Sequence, residues 1–250
     1  MPLPSSDGTS WLLALVINGL LIAMAQRLPL LTRSGWVHAA ALGTILWGCL
    51  GWRGWLAVVA YLALGSLVTK LGFARKQAAG LAEARGGRRG PANVWGSAST
   101  GAWLALMVGA GVQPFGLLLV GFSASFCAKL ADTFGSEIGK RWGRTTVLIT
   151  TWRLVPAGTE GAISLEGTAA SVVGSALMSL ILLLLGLIDS WPLTVLVSGI
   201  GVLATLLESV MGALFQQRLP WLSNELVNAI QTAVAALLAI SAASMLSLVP

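Results

Sequence analysis

Apolar stretches long enough to cross a bilayer follow one another along almost the whole chain. A membrane-spanning helix needs roughly 17–25 mostly apolar residues. The eight candidate stretches are 11–26, 36–52, 54–73, 94–112, 114–131, 167–188, 191–214 and 226–249. This pattern predicts an all-α, polytopic membrane helical bundle of about seven to eight transmembrane helices. The stretches 36–52 and 54–73 follow each other almost without a linker, so the boundary between them stays open.

Composition supports a membrane protein rather than a water-soluble one. The 250 residues are 56% hydrophobic and only 10% charged, whereas soluble domains carry about 25% charged residues. We therefore expect a single integral membrane domain over residues 1–250. The N-terminal MPLPSSDGTS lacks the basic start of a signal peptide and the arginine-rich pattern of a transit peptide, which favours a bacterial membrane.

The few cysteine and histidine residues suggest no metal or redox chemistry. Cys49 and Cys127 both lie inside apolar runs and form no zinc or disulfide pattern. The sole histidine, His38, is expected to be a packing residue. A Ser-His-Asp or Cys-His hydrolase arrangement is disfavoured, because this histidine lies in a different part of the chain from the polar motifs.

The distribution of basic residues predicts the orientation of the bundle. Eight spans place the segments 27–35, 74–93, 132–166 and 215–225 on one side of the membrane. Counting Lys70 and Lys129 at span ends, 14 of the 15 basic residues fall on that side and only Arg53 falls opposite. Cytoplasmic loops carry the excess of lysine and arginine, so this side is predicted to be cytoplasmic. Tryptophans near the predicted span ends fit an interfacial belt: Trp11, Trp36, Trp52, Trp55, Trp95, Trp191 and Trp221.

The first candidate site is the segment 129–140, which follows an unbroken apolar run. Ionisable groups near the bilayer are costly and therefore candidates for function. Lys129, Asp132 and Ser136 share one helix face at this spacing. Asp132 and Glu137 lie about 140° apart on a straight helix, so they would meet at one ion only if the helix breaks at Gly135. A plain exit helix with solvated ion pairs explains the same pattern, and the choice stays open.

The second candidate site is the glycine-rich segment 150–168. It holds Arg153, Glu160, Glu166 and two Gly-Thr pairs. Backbone amides in such turns can hold phosphate oxygens, although no Walker sequence is present. An ordinary loop with capping serine and threonine remains the alternative.

A third set of polar residues lies at the same membrane face. Asn93 begins one span, Asn224, Glu225 and Asn228 begin the last one, and Glu208 lies inside an apolar run near its cytoplasmic end. These groups could line a cavity. The alternatives are a structural ion pair for Glu208 and a helix cap for Asn224.

Two long motifs resemble a known family. They are Lys129-x-Ala131-Asp132-Thr133-x-x-Ser136-Glu137-x-Gly139 and Val155-Pro156-x-Gly158-Thr159-x-Gly161-Ala162-Ile163-Ser164-x-x-Gly167-Thr168. With Asn93 and Leu222-Ser-Asn224-Glu225-Leu-Val227-Asn228, they resemble the transmembrane-protein-19-like family. The resemblance covers the chain from about residue 35 to its end. Plant and cyanobacterial members of that family are the phytyl-phosphate kinases, in many of which aspartate stands at the position of Glu225.

This resemblance implies a membrane lipid-phosphate kinase. It would transfer a phosphoryl group from a nucleoside triphosphate, with CTP favoured over ATP, GTP or UTP, to phytyl monophosphate. The product, phytyl diphosphate, would serve tocopherol and phylloquinone synthesis. The expected partners are a prenyl-phosphate lipid, the nucleotide and membrane lipid, with no nucleic acid. The expected location is a plasma or thylakoid membrane, with the active site in the cytoplasmic segment 132–166. The oligomeric state stays open.

The same resemblance suggests roles for individual residues. Asp132 and Glu137 would bind Mg²⁺, and Lys129 and Arg153 would neutralise phosphate charge. The remaining residues would bind substrate or nucleotide: Asn93, Ser136, Gly158, Thr159, Glu160, Gly161, Ser164, Thr168, Asn224, Glu225 and Asn228. Two alternatives stay open. One is a polyprenol kinase or CTP-dependent lipid nucleotidyltransferase, and the other is an ion-coupled transporter.

Overall fold

The protein is a bundle of helices with one short β-hairpin, as seen in a computed structural model that describes residues 8–216 and 218–249. The first seven residues, part of the segment in which no targeting signal is predicted, lie outside the described residues. The helices are α1 (Gly8–Ala25), α2 (Arg33–Lys70), α3 (Phe73–Ala78), α4 (Pro91–Gly109), α5 (Phe115–Trp142), α6 (Leu165–Leu184), α7 (Trp191–Met211) and α8 (Asn224–Met245). The strands are β1 (Thr146–Leu148) and β2 (Ala162–Ser164).

Helix α2 is an antiparallel hairpin of two arms, 33–50 and 52–70. Gly51 separates the arms with φ 68° and ψ −167°, a left-handed conformation that glycine adopts without strain. Trp47 and Trp55 lie on opposite sides of this break, yet their ring centroids are 5.4 Å apart. The arms therefore fold back on each other, which accounts for the two apolar stretches predicted almost without a linker.

The number of spans agrees with the prediction. Within the described residues, six helices are long and apolar enough to cross a membrane: α1, α2, α5, α6, α7 and α8. Counting the two arms of α2 separately gives seven. The 19-residue helix α4 occupies the one remaining predicted stretch, 94–112. The predicted polytopic helical membrane bundle is thus confirmed.

Helix α5 is the central helix and is longer than predicted. The apolar stretch 114–131 forms only its first part, because the helix continues to Trp142. Of the two alternatives left open at Gly135, the structure shows the unbroken exit helix. Gly135 instead allows close contact with α6. A Cβ atom built on Gly167 would lie only 2.8 Å from the Gly135 carbonyl oxygen. Small residues at such crossings let membrane helices approach closely.

The segment after α5 is a structured hairpin rather than an open loop. Strands β1 and β2 pair antiparallel, with Thr146 opposite Ser164. Gly161 precedes β2 at φ 74°, and a Cβ atom at this residue would meet the Ser209 carbonyl oxygen at 2.5 Å. The hairpin therefore lies against the end of α7, and the chain between its strands is held close to the bundle.

The four basic segments lie on one face of the bundle, as predicted. Thr32 donates its amide hydrogen to the Arg89 carbonyl oxygen (3.0 Å), joining the first and second segments. Lys140 pairs with Glu83 at 2.9 Å and joins the second to the third. Asn93, the last residue of the second segment, donates to Glu225 (3.1 Å) in the fourth.

Several predicted interfacial or packing residues have defined roles. His38 Nδ1 accepts a hydrogen bond from Trp95 Nε1 (2.8 Å), so it packs as expected. Trp55 donates to the buried Asn18 side chain (2.9 Å). Trp52, Trp191 and Trp221 are exposed, as a belt requires, whereas Trp36 is buried and does not belong to it.

Candidate functional site

A cavity of about 420 Å³ opens where the basic segments meet. Its walls come from α2, α4, α5, α6, α7 and α8, the chain between α3 and α4, and the turn between β1 and β2. Five of the nine acidic residues and five of the fifteen lysines and arginines line it. Charged groups concentrated at one end of an otherwise apolar bundle indicate a functional site.

Most of the residues predicted from the motifs line this cavity. Those that do are Asn93, Lys129, Asp132, Ser136, Glu137, Gly158, Thr159, Glu160, Gly161, Ser164, Thr168, Asn224 and Asn228. Arg153 and Glu225 are the predicted residues that do not. The two motifs, distant in sequence, therefore meet because α5 and the hairpin adjoin one opening.

Lys129 and Asp132 form an ion pair on one face of α5, as their spacing predicted. The Lys129 ammonium also donates to Asn228 Oδ1 (2.8 Å) on α8. Lys129 is buried and Asp132 lies partly open to the cavity. The pair thus offers one accessible carboxylate, and its orientation is held by a buried ammonium group.

Glu137 does not converge with Asp132, because α5 is unbroken between them. Its carboxylate instead forms an ion pair with Lys76 on α3. The Lys76 side chain is 1% exposed and also donates to the Thr69 carbonyl oxygen at 2.7 Å. The helix break that would bring Asp132 and Glu137 to one Mg²⁺ ion is therefore absent, and a metal role for Glu137 stays a prediction. Glu137 is the anchor of the α3 segment.

Three arginines line the cavity that the sequence analysis did not select: Arg85, Arg88 and Arg89. Arg89 donates to the Tyr61 hydroxyl (2.6 Å) and Arg85 to Asn93 Oδ1 (2.8 Å). No carboxylate among the described residues lies within ion-pair distance of any of the three. Arg153, predicted to neutralise phosphate, is exposed outside the cavity. The cationic wall of the cavity is therefore formed by the loop between α3 and α4 and not by Arg153.

The acidic side of the cavity combines α5, α7 and the hairpin. Glu208, Asp132 and Glu160 lie near enough to act on one another electrostatically. Partial burial raises the pKa of Glu160 above its ordinary value. The carboxylates of Asp132 and Glu83 raise it further, and the Lys140 ammonium group only partly offsets this. Repelling carboxylates in one cavity are stabilised by a cation.

Glu83 and Lys140 link the two loops at the cavity rim. Partial burial alone would raise the pKa of Glu83, but the Lys140 ammonium group pairs with it at 2.9 Å. This attraction, and the donated hydrogen bond, hold the pKa of Glu83 below its ordinary value. The pair thus fixes the arginine loop, residues 79–90 between α3 and α4, against the end of α5.

The glycine-rich turn lies beside the cavity as expected, but the hydrogen-bond donors of Thr159 are used within the turn itself. Gly158 and Gly161 both have positive φ, 84° and 74°, which closes a tight turn beside the cavity. The amide and the hydroxyl of Thr159 both donate to the Pro156 carbonyl oxygen, at 3.2 and 2.7 Å. Thr159 therefore stabilises the turn, and its predicted part in a phosphate cradle is not supported.

Of the polar residues at the start of α8, one caps the helix and others line the cavity. Ser223, rather than Asn224, is the N-cap, since its side chain accepts from the Leu226 amide at 3.3 Å. Asn224 is left to line the cavity. Glu225 lies behind the wall, where its carboxylate orients Asn93.

Comparison with known proteins places the chain in a family. The model of the family described as "Integral membrane protein DUF92" matches residues 16–236. The chain belongs to the DUF92 family of integral membrane proteins. Membership confirms the predicted membrane location and, at the level of the family, the resemblance drawn from the motifs. No solved structure matches the chain.

The relatives of this DUF92 protein come from bacteria, plants and archaea. An uncharacterized membrane protein of Synechocystis sp. is 48% identical over 92% of the chain and 90% of its own length. Protein VTE6, chloroplastic, of Arabidopsis thaliana is 40% identical over 96% of the chain and 74% of its own length. An uncharacterized membrane protein of Methanocaldococcus jannaschii is 30% identical over 91% of the chain and 92% of its own length.

Proposed function

We propose that this protein is a lipid-phosphate kinase that converts phytyl monophosphate to phytyl diphosphate with a nucleoside triphosphate. The observation that carries the proposal is that Arg85, Arg88 and Arg89 meet five of the nine acidic side chains at one cavity on the membrane face. The motif resemblance and the 40% identity to VTE6 direct it to the phytyl substrate. CTP is the favoured donor, and the product would enter tocopherol or phylloquinone synthesis.

Phosphoryl transfer requires positioning and charge neutralisation more than covalent chemistry. Arg85 and Arg89 would bind the nucleotide phosphates, because planar guanidinium groups match phosphate oxygens. Lys129 would hold Asp132 in place rather than contact phosphate directly. The acceptor is itself a phosphate, largely ionised at neutral pH, so no strong general base is needed.

The donor set of the cavity fits Mg²⁺ delivered together with a nucleotide. Mg²⁺ takes one or two carboxylates with phosphate oxygens and water. Among the described residues no three histidine, cysteine or acidic side chains form a closed metal cage. Asp132 and Glu208 would therefore hold the ion, with Glu208 replacing Glu137 in this role. When bound, the ion would neutralise charge that develops on the transferred group.

The direct test uses protein purified in detergent with phytyl phosphate, Mg²⁺ and each of CTP, ATP, GTP and UTP. We expect phytyl diphosphate by mass spectrometry with at least one donor. A product carrying CMP would assign the protein to the nucleotidyltransferases instead. No diphosphate product with any donor would refute the kinase.

Two variants test the assignment of the carboxylates. Asp132→Asn and Glu208→Gln should each lower kcat at least about 100-fold while the protein purifies as a folded species. The matched control is Asp189→Asn, since Asp189 is exposed and lies outside the cavity. Wild-type turnover by Asp132→Asn would remove this carboxylate from the mechanism.

A further inference from the structure

A second cavity, of about 390 Å³, lies between the end of α1 and the start of α2. The arginines that line it are Arg27, Arg33 and Arg88. Arg88 also lines the first cavity, whereas Arg27 and Arg33 do not. The second cavity is thus a separate space that shares one arginine, Arg88, with the candidate active site.

The charge of this cavity is uncompensated. No described carboxylate lies within ion-pair distance of Arg27, Arg33 or Arg88. Arg88 is held by a hydrogen bond from its Nε to the Arg85 carbonyl oxygen (3.2 Å). Three guanidinium groups around one space repel one another unless an anion lies between them.

Trp36 adds an independent sign of a missing acceptor. Its side chain lines the cavity and the residue is 7% exposed. The indole Nε1 is buried and has no hydrogen-bond partner among the described residues. An indole N–H only donates, and a buried donor without an acceptor is unfavourable. Because Nε1 is closed off from the cavity as well, an anionic oxygen bound there would reach it after a small turn of the indole ring.

The surroundings indicate a lipid rather than a soluble ion. Leu28 lines the cavity and is 52% exposed. Met24 in the last turn of α1 and Val37 in the first turns of α2, near these lining residues in the chain, are 75% and 68% exposed. Apolar side chains at this position would contact acyl chains, while the arginines reach the head-group layer. Basic pockets between membrane helices bind anionic head groups in this way.

We infer that the second cavity binds the phosphate group of an anionic membrane lipid. The guanidinium groups of Arg27, Arg33 and Arg88 contact its oxygens and Trp36 donates the indole hydrogen. The backbone bond between Thr32 and the Arg89 carbonyl oxygen (3.0 Å) ties this lipid site to the arginine loop. The inference is independent of the kinase proposal, because it needs no phosphoryl transfer.

The test measures lipid binding by the purified protein in a neutral detergent. Native mass spectrometry and thermal unfolding are followed with phosphatidylglycerol, phosphatidylcholine and inorganic phosphate. We expect phosphatidylglycerol to bind and stabilise the wild type more than phosphatidylcholine. Arg27→Gln and Arg33→Gln should each weaken phosphatidylglycerol binding about fivefold. Arg144→Gln is the matched control, because Arg144 is exposed outside both cavities.

Trp36→Phe keeps the ring and removes the donor, and should weaken phosphatidylglycerol binding severalfold. It serves as a second variant if an arginine variant fails to fold. Equal binding of the two lipids by the wild type would overturn the inference. Unchanged phosphatidylglycerol binding in the arginine variants or in Trp36→Phe would also overturn it. Displacement of the lipid by inorganic phosphate at equal affinity would assign the cavity to a soluble anion instead.

Discussion

The buried ion pair of Lys76 and Glu137 allows a sharp test of how α3 is held against α5. The two side chains are 1% and 3% exposed, and Lys76 also donates to the Thr69 carbonyl oxygen. Lys76→Met would leave the Glu137 carboxylate buried without its cation. Removing one partner of such a pair costs about 3–5 kcal/mol.

This free energy translates into a measurable change in melting temperature. A chain of this size loses roughly 2–4 °C for each kcal/mol, so Lys76→Met should unfold about 6–20 °C below the wild type. The double variant Lys76→Met, Glu137→Met should recover most of this loss, because it buries no unpaired charge. Apolar replacements of buried pairs are often neutral or stabilising.

The free cysteines supply the assay. Cys49 and Cys127 are both buried and unpaired by disulfides, so a thiol-reactive fluorophore reports unfolding during heating in detergent. Lys70→Met is the control, since Lys70 is an exposed lysine whose replacement should change stability by no more than about 0.5 kcal/mol. Wild-type melting of Lys76→Met, or a double variant as unstable as the single one, would refute the reasoning.

The same double variant decides the role of Glu137. If Glu137 only anchors the α3 segment, the double variant should keep kinase turnover within about threefold of the wild type, since no transition-state contact is removed. A loss of activity in a variant that melts like the wild type would restore Glu137 to the catalytic machinery.

Two further predictions concern helix packing and pH. Gly167→Leu should destabilise the protein by at least about 2 kcal/mol, because the new side chain would meet the Gly135 carbonyl oxygen. Gly199→Leu is the control, since a side chain at Gly199 has open space. Equal melting temperatures of the two variants would contradict the close crossing of α5 and α6. The lowered pKa of Glu83 means that its pairing with Lys140 stabilises the protein above its ordinary pKa of 4.5 and is lost as pH falls through the folded-state pKa. Melting curves should therefore show a weaker acid dependence for Glu83→Gln than for the wild type, and identical pH dependence would contradict this.

The positions of the membrane spans, and the common face of the basic segments between them, were predictable because both depend on local composition. Transfer of an apolar stretch into lipid is favourable whatever it later packs against, so the stretches along the chain agree with the observed helices. The basic residues collect in the segments between these apolar stretches, so their common side of the bundle could also be predicted from the sequence. The two arms of α2 correspond to the two apolar stretches whose boundary the sequence left open, and the Lys129–Asp132 pair follows from a spacing of three residues on one helix.

Other features depend on contacts between distant segments, and no local pattern contains them. Glu137 is bonded to Lys76, 61 residues earlier, and this pairing engages the carboxylate that its motif suggested for a metal. Gly135 resembles a helix break in isolation, yet the approach of Gly167 makes it a packing residue. Arg88 lines both cavities, and this position depends on how the loop between α3 and α4 folds. The sequence alone therefore determined which stretches enter the membrane and which chemistry gathers at its face, because these depend on short-range energies. Only the tertiary structure decided which charges stay free to bind a ligand, because that depends on which charges are already paired.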